Sequence, residues 1–429
     1  MVRETFEMSM LSKIKRMKNN ETIVNGSLFS LFSFVNRGFG FLLLLILANY
    51  IAPAEYGYLS LFGTVTMVLG YFMALSTEGY LSVSFFRDGP NGIKQTFSCV
   101  LFTSIIVSLV IYFVLCLLGK DLSVKLDLPL HCLFLAVGIS FLSVYSNLIL
   151  NYFRLQKKVQ TYGIFSCGNA LLNFVLSIVL VKTLLYGWEG RVYAQLSCCC
   201  LFGMFGLFFF IKKGFLSLPN KKHWKMMLLW GIPLIPHLAT TFIRQGCDRY
   251  IVNYYHTIEY VGLFSFALNL ANIIIMVGVG FNQSNSVDIY AVLGNDTMSV
   301  EEKTNRLKSQ RKTITLVYLV CSIFITLSCV FLIPIVLPQY SMAMQYFPIL
   351  AVYAFLNCLY FLYTNFLFFY KKTRTLMYIT FGTSILHLIL SVLLTRYSLY
   401  YTCLIYSVSQ IIIVLLVRYY ANQLVRIMR

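Results

Sequence analysis

Apolar residues run along this chain in long unbroken stretches, separated by short polar clusters. A helix needs about 20 such residues to cross the hydrocarbon core of a bilayer. Twelve stretches qualify, at approximately 25–51, 57–82, 95–118, 129–153, 160–183, 190–212, 227–254, 260–283, 313–336, 345–370, 375–395 and 399–420. Alternating segments of about 10 residues, the mark of a membrane barrel, are absent. The pattern therefore predicts an all-α polytopic membrane protein. The first stretch follows a basic segment (Lys13, Lys15, Arg16, Lys18). It is too long for a signal-peptide core and lacks a small-residue cleavage pattern, so it reads as a retained first helix.

Composition excludes the alternatives. Of the 429 residues, 59% are apolar and 11% charged, with a mean hydropathy of +0.77. Soluble domains are about 45–50% apolar and about 25% charged. A soluble enzyme of this composition would have too few charges to cover its surface. A disordered chain would be far less apolar.

The net charge of +19, from 34 Lys and Arg against 15 Asp and Glu, follows from topology. With a cytoplasmic N-terminus, every second connecting segment is cytoplasmic too. Those segments and the tails hold 26 of the 34 basic residues, among them Arg87, Lys94, Arg154, Lys157, Lys158, Lys371, Lys372 and Arg374. The opposite loops hold five, Lys120, Lys125, Lys182, Arg191 and Arg396, and Arg37, Arg244 and Arg249 fall within spans. Such a bias is the positive-inside pattern, with both termini cytoplasmic. It accounts for the basic balance without nucleic acid. The longest outer loop is expected near 119–128. The largest cytoplasmic one, near 284–312, reads as an amphipathic or solvated segment.

The two halves resemble each other. Asn49-Tyr50, Glu55-Tyr56, Gly57 and Ser60 match Asn253-Tyr254, Glu259-Tyr260, Gly262 and Ser265 at an offset of 204 that becomes 205. Residues 151–180 match 365–394 at an offset of 214, including Asn151/Asn365, Lys157-Lys158/Lys371-Lys372 and Gly168/Gly382. Six helices is an even number, so the repeats enter the membrane from the same side. The expected domains are a six-helix bundle with its N-terminal tail over 1–216 and a second bundle over 217–429. Two bundles around a central cavity is an alternating-access layout.

Ionisable groups inside a bilayer cost at least ~2.5 kcal/mol each on insertion scales, so each calls for a reason. Arg37 lies near mid-membrane, with Ser30 and Ser33 on its face. In the seventh span His237, Thr241, Arg244 and Asp248 fall at i, i+4, i+7 and i+11, a polar stripe down one side, with Arg249 about 100° round from Asp248. Glu78 sits near the cytoplasmic end of the second span. One reading is mutual neutralisation, Arg244 with Asp248 and Arg37 with Glu78 or carbonyls. The other is a hydrated cavity of net positive lining, in which Arg37, Arg244 and Arg249 meet an anionic, phosphate-bearing substrate. Asp248, His237, Glu78 and Thr241 would be its remaining polar groups, available for coupling. Pro233 and Pro236 are hinge candidates.

No metal site is predicted. The twelve cysteines, including Cys198-Cys199-Cys200, mostly lie within apolar runs and read as packing residues. None has zinc spacing with histidines nearby. His131 reads as interfacial, and His387 as a structural or cavity-lining residue.

The segment Gly231-Ile232-Pro233-Leu234-Ile235-Pro236-His237, followed by Asp248-Arg249-Tyr250-Ile251 and Glu259-Tyr260-Val261-Gly262-Leu263-Phe264-Ser265, resembles the seventh–eighth helix region of Wzx-type oligosaccharide flippases. These are O-antigen and polysaccharide transporters of the MOP superfamily. Ala52-Pro53-Ala54-Glu55-Tyr56-Gly57 resembles the first outer turn of the same family. The resemblance implies a MATE-like, V-shaped pair of six-helix bundles in the cytoplasmic membrane of a bacterium. The implied task is to move an undecaprenyl-type, polyprenyl-pyrophosphate-linked oligosaccharide to the outer leaflet for lipopolysaccharide, capsule or other surface glycan. Cationic lumen residues, coupling to H+ or Na+ and contact with other polysaccharide-assembly membrane proteins belong to the same implication. On the matched motif itself lie only Asp248, Arg249, Pro233 and Pro236. The alternatives are a MATE-like multidrug or cation exporter, which would want an acidic cavity, and an integral-membrane glycan polymerase or glycosyltransferase, which would want a large outer loop or a catalytic acidic motif.

Overall fold

The computed structural model describes residues 21–75, 77–295 and 297–426. Its regular elements are all helical. In chain order they are α1 (Glu21–Leu47), α2 (Pro53–Met73), α3 (Tyr80–Leu126), α4 (Leu130–Leu155), α5 (Val159–Ile178), α6 (Gly187–Lys212), α7 (Lys221–Gly231), α8 (Ile235–Gln245), α9 (Cys247–Tyr255), α10 (Ile258–Leu293), α11 (Val300–Val336), α12 (Phe347–Phe369), α13 (Thr373–Leu394) and α14 (Leu399–Arg426). Eleven helical stretches among the described residues are long and apolar enough to span a membrane, and α1 adds a further apolar helix.

Several expected loops are helix instead. The segment 284–312 is carried by the end of α10 and the start of α11, leaving only a short connection. Ser299 caps α11, accepting from the Glu302 N–H at 3.2 Å, and Glu301 and Glu302 oppose the helix dipole in its first turn. Ile289, Val292, Leu293 and Leu307 bury against Phe366, Leu367, Ile413 and Val417. That apolar contact buries one face of the segment and holds it helical, while most of its charged residues stay exposed, an amphipathic arrangement. The loop expected near 119–128 is likewise mostly the end of α3, which stops at Asp127 in a left-handed conformation (φ 51°). Arg191, expected in an outer loop, is the fifth residue of α6 and bonds to Asn173 and Ser177 of α5.

The chain clusters into two compact units. The first holds Met1–Tyr50 and Val65–Ile235; the second holds Ile51–Thr64 and Pro236–Arg429. In the first, α4 and α6 approach closely where Gly203 meets the backbone of Leu142 and Gly206 that of Tyr145. Phe97 stacks on Phe210 at 4.9 Å beneath them. The short α7 docks on α3, with Trp224 Nε1 donating to Thr103 Oγ1 at 2.9 Å.

In the second unit the repeat becomes visible as geometry. The start of α2 lies against the start of α10. A Cβ on Gly57 would overlap the Ile258 carbonyl oxygen, and one on Gly262 would overlap that of Pro53. Each glycine stands four residues after the residue its counterpart touches, so the contact is a reciprocal one between repeat-related positions. Only glycine permits backbones this close. Next to it, Tyr340 donates to the Ile51 carbonyl at 2.9 Å and packs on Phe266 at 4.3 Å. Burial pushes the Tyr340 phenol well up, which keeps it a neutral donor.

The second repeat match is equally concrete. Lys157 and Lys371 both take a left-handed conformation, at φ 55° and 56°. Both follow a helix, and in both the next lysine closes the turn: Lys158 N–H donates to Phe153 O at 2.9 Å, Lys372 N–H to Leu367 O at 2.8 Å. These are paired helix C-terminal turns of the same design.

Candidate functional site

The polar residues of the expected seventh span do not form one continuous stripe. The helix breaks twice. Ile232–Leu234, with Pro233 inside it, is a single 3-10 turn between α7 and α8. Gly246, at φ −114°, separates α8 from α9. Thr241 and Arg244 therefore belong to one helix and Asp248 and Arg249 to the next. The expected Arg244–Asp248 neutralisation is not what forms.

Asp248 is buried, at 1% exposure, and takes its partners from α13. His387 Nε2 lies 2.8 Å from Asp248 Oδ2, and Ser391 Oγ donates to Oδ1. His387 and Ser391 are four residues apart and so share a helix face. The other imidazole nitrogen, Nδ1, lies 3.1 Å from Ser409 Oγ on α14. The Tyr406 ring meets His387 edge-on, with centroids 5.0 Å apart. The result is a buried acid–imidazole pair linking three helices, with hydroxyls on both sides. Each partner satisfies the other's buried polar atoms.

The arginines have different surroundings. Arg244, half-buried, donates from Nη2 to Oε1 of the buried Gln410 at 2.5 Å. Arg249, also half-buried, donates to Ser265 Oγ at 3.2 Å, Thr64 Oγ1 at 3.5 Å and the Gln245 carbonyl. Every one of these acceptors is neutral. Among the described residues no carboxylate pairs with either guanidinium, because the one buried nearby is held by His387. Both arginines keep donors to spare, and the forked geometry suits phosphate oxygens.

Thr241 is exposed on α8, and Pro233 is exposed in the 3-10 turn. The boundary between the two compact units falls between Ile235 and Pro236, so Pro233 and Pro236 flank it. Glu78 belongs to the first unit. It occupies the 3-10 turn Thr77–Gly79, and its Oε2 is buried with no hydrogen-bond partner among the described residues. The side chains of Arg37, Pro236 and His237 lie outside the described residues, as do those of Ser30 and Ser33.

His387 is the member of this cluster that the sequence did not single out. Its partner is 139 positions away, and periodicity reports a face, not what the face meets. The available signal was local: Ser384, His387 and Ser391 put polar groups at i, i+3 and i+7 of α13.

Comparison with known proteins places this arrangement. The model of the family described as "Polysaccharide biosynthesis protein" matches residues 23–287, more than half of the chain. The chain belongs to this polysaccharide biosynthesis family. The family is that of the Wzx-type flippases. A curated relative, protein 1 of the Lsg locus of Haemophilus influenzae, is 22% identical over 361 residues, covering 83% of this chain and 86% of its own. A multidrug resistance MATE family transporter of the MOP superfamily, solved in an inward-facing conformation, is similar with a TM-score of 0.70 at 15% identity, over 92% of this chain and 95% of that one. The outward-facing form of a MATE family transporter matches with a TM-score of 0.61 at 14% identity, over 94% and 96%. This member of the family thus has the MATE-type fold. Family and fold together make it a multi-pass membrane protein and a transporter.

Proposed function

We propose that this transporter flips a polyprenyl-pyrophosphate-linked oligosaccharide, a repeat unit of a surface polysaccharide, across the cytoplasmic membrane of a bacterium by alternating access. Both termini face the cytoplasm, as the charge bias favours. The supporting observation is the division of charge in the second unit. Asp248 is consumed by His387 and Ser391, whereas Arg244 and Arg249 rest on neutral acceptors. The partly accessible surface is therefore cationic, and a pyrophosphate is the anion that would compensate it. Only that group and the sugars need a polar path, since the lipid tail can remain in hydrocarbon. A cationic drug would be repelled by the same two arginines, which disfavours a multidrug exporter.

In this reading Arg37, Arg244 and Arg249 contact substrate, Thr241 and Glu78 contribute polarity, and the Pro233/Pro236 region flexes. Asp248 and His387 form the element that takes up a coupling proton. Complementation of a flippase-deficient strain tests the assignment. Arg244→Ala and Arg249→Ala, each inserted at normal level, are expected to lose surface-glycan display, with lipid-linked precursor accumulating inside. Full display by both variants would overturn the cationic-surface reading.

A further inference from the structure

A second cluster, in the first unit, has no part in that reading. His131 and Cys132 are the second and third residues of α4, and Glu189 is the third residue of α6. His131 Nε2 lies 3.2 Å from Glu189 Oε2 and 3.4 Å from Cys132 Sγ. All three ligand atoms lie within 4.8 Å of one another. We propose that His131, Cys132 and Glu189 form a zinc-binding site at one end of the α4–α6 pair.

The separations match the edges of a coordination tetrahedron. Zinc bonds of about 2.0–2.1 Å to nitrogen, 2.3 Å to sulfur and 2.0–2.2 Å to oxygen place N and O about 3.3 Å apart and N and S about 3.6 Å apart. The N–O and N–S edges are each within about 0.2 Å of those values. The third edge, Cys132 Sγ to the Glu189 carboxylate, lies within 4.8 Å, so a zinc ion can replace the hydrogen bonds of the trio by drawing these two groups together. The donor set, one thiolate, one imidazole and one carboxylate, favours zinc over magnesium or calcium, which take oxygen ligands.

The two helices that carry the ligands pack on each other further along, where Gly203 and Gly206 of α6 meet the backbone of α4. Tyr193, one turn beyond Glu189, donates to Glu189 Oε2 at 3.0 Å and fixes the carboxylate. Cys132 is fully buried, but the His131 side chain is 51% exposed and that of Glu189 29%, so an ion enters from their side. Three protein ligands leave a fourth position for water or an incoming donor. Binding converts the Cys132 thiol to a zinc thiolate and releases its proton to solvent, so affinity rises with pH. In the proposed orientation the site faces the extracytoplasmic side, where it staples the ends of two spans.

The test uses the full chain, purified in detergent with a histidine-free tag and stripped with EDTA. Titration with ZnCl2 is expected to show one equivalent bound, tighter at higher pH, with a raised unfolding temperature. Cobalt in its place is expected to give a thiolate charge-transfer band. Cys132→Ser and His131→Ala, each eluting like the parent chain, should weaken zinc binding at least tenfold, and Cys132→Ser should abolish the cobalt band. Cys198→Ser should change neither. No stoichiometric binding by the parent chain, or binding unchanged in both ligand variants, would overturn the site. Glycan display by the parent chain is a separate readout, so failure here leaves the flippase reading standing.

Discussion

Replacing Gly262 by Ala puts a methyl group where the Pro53 backbone now sits. The added Cβ would lie 2.6 Å from the Pro53 carbonyl carbon and 3.1 Å from the Gly57 nitrogen, and would overlap the Pro53 carbonyl oxygen. Ordinary contact needs 3.4–4 Å. The starts of α2 and α10 must therefore separate by well over ~1 Å to clear the carbonyl oxygen, and neither obstacle is a side chain that could rotate away. Overpacking of this kind costs about 1–3 kcal/mol, and a clash with backbone belongs at the upper end. Alanine's better helix propensity returns about 0.8–1 kcal/mol. The net expectation is a loss of about 2 kcal/mol, roughly a thirtyfold fall in the folded-to-unfolded ratio. Gly280, also in α10, provides the internal comparison, because a Cβ there meets nothing within 4 Å. Gly280→Ala should be neutral or gain up to about 1 kcal/mol. Equilibrium unfolding in mixed micelles, followed by circular dichroism, measures both. A Gly262→Ala protein as stable as Gly280→Ala would refute the close-packed contact.

Other consequences can be checked in parallel. Gly57→Ala, which meets Ile258 from the opposite side, should destabilise by a similar amount, and the double variant by less than the sum of the two, since both press on one contact; unfolding of all three measures this. If the Asp248–His387 pair carries the proposed coupling, Asp248→Asn, which removes its carboxylate, should cost transport in a vesicle assay its dependence on a pH gradient, while Ser391→Ala, which keeps the pair, should retain most of it. Lys157→Gly and Lys371→Gly relieve left-handed backbone and should each stabilise by about 0.5–1 kcal/mol, seen as a raised unfolding temperature. A reporter fused within Lys371–Arg374 should give a cytoplasmic signal; an extracytoplasmic one would refute the orientation.

The sequence reading was strongest where the bilayer imposes the rule. Apolar run length located the helices, and the two internal matches turned out to mark a glycine contact and a pair of turns. It was weaker wherever the decisive fact was a partner distant in sequence. Nothing local to Asp248 announces His387, and the i,i+4 spacing to Arg244 suggested a pairing that Gly246 interrupts. The amphipathic character of 284–312 was legible, but that its apolar face docks through Ile289, Val292, Leu293 and Leu307, so that the segment is helix and not loop, was not. The contact of His131 with Glu189 was likewise not legible, because Glu189 comes from another helix.

The twin left-handed lysines bear on how the chain enters the membrane. Glycine would suit those turns better, yet both halves place a lysine pair there. In the proposed orientation, the same residues that close a helix also supply cationic retention signals on the cytoplasmic side. Each half then carries its own address, read during insertion before any tertiary contact exists. Neutralising one pair should leave the other half correctly inserted, so orientation errors would arise as half-inverted chains.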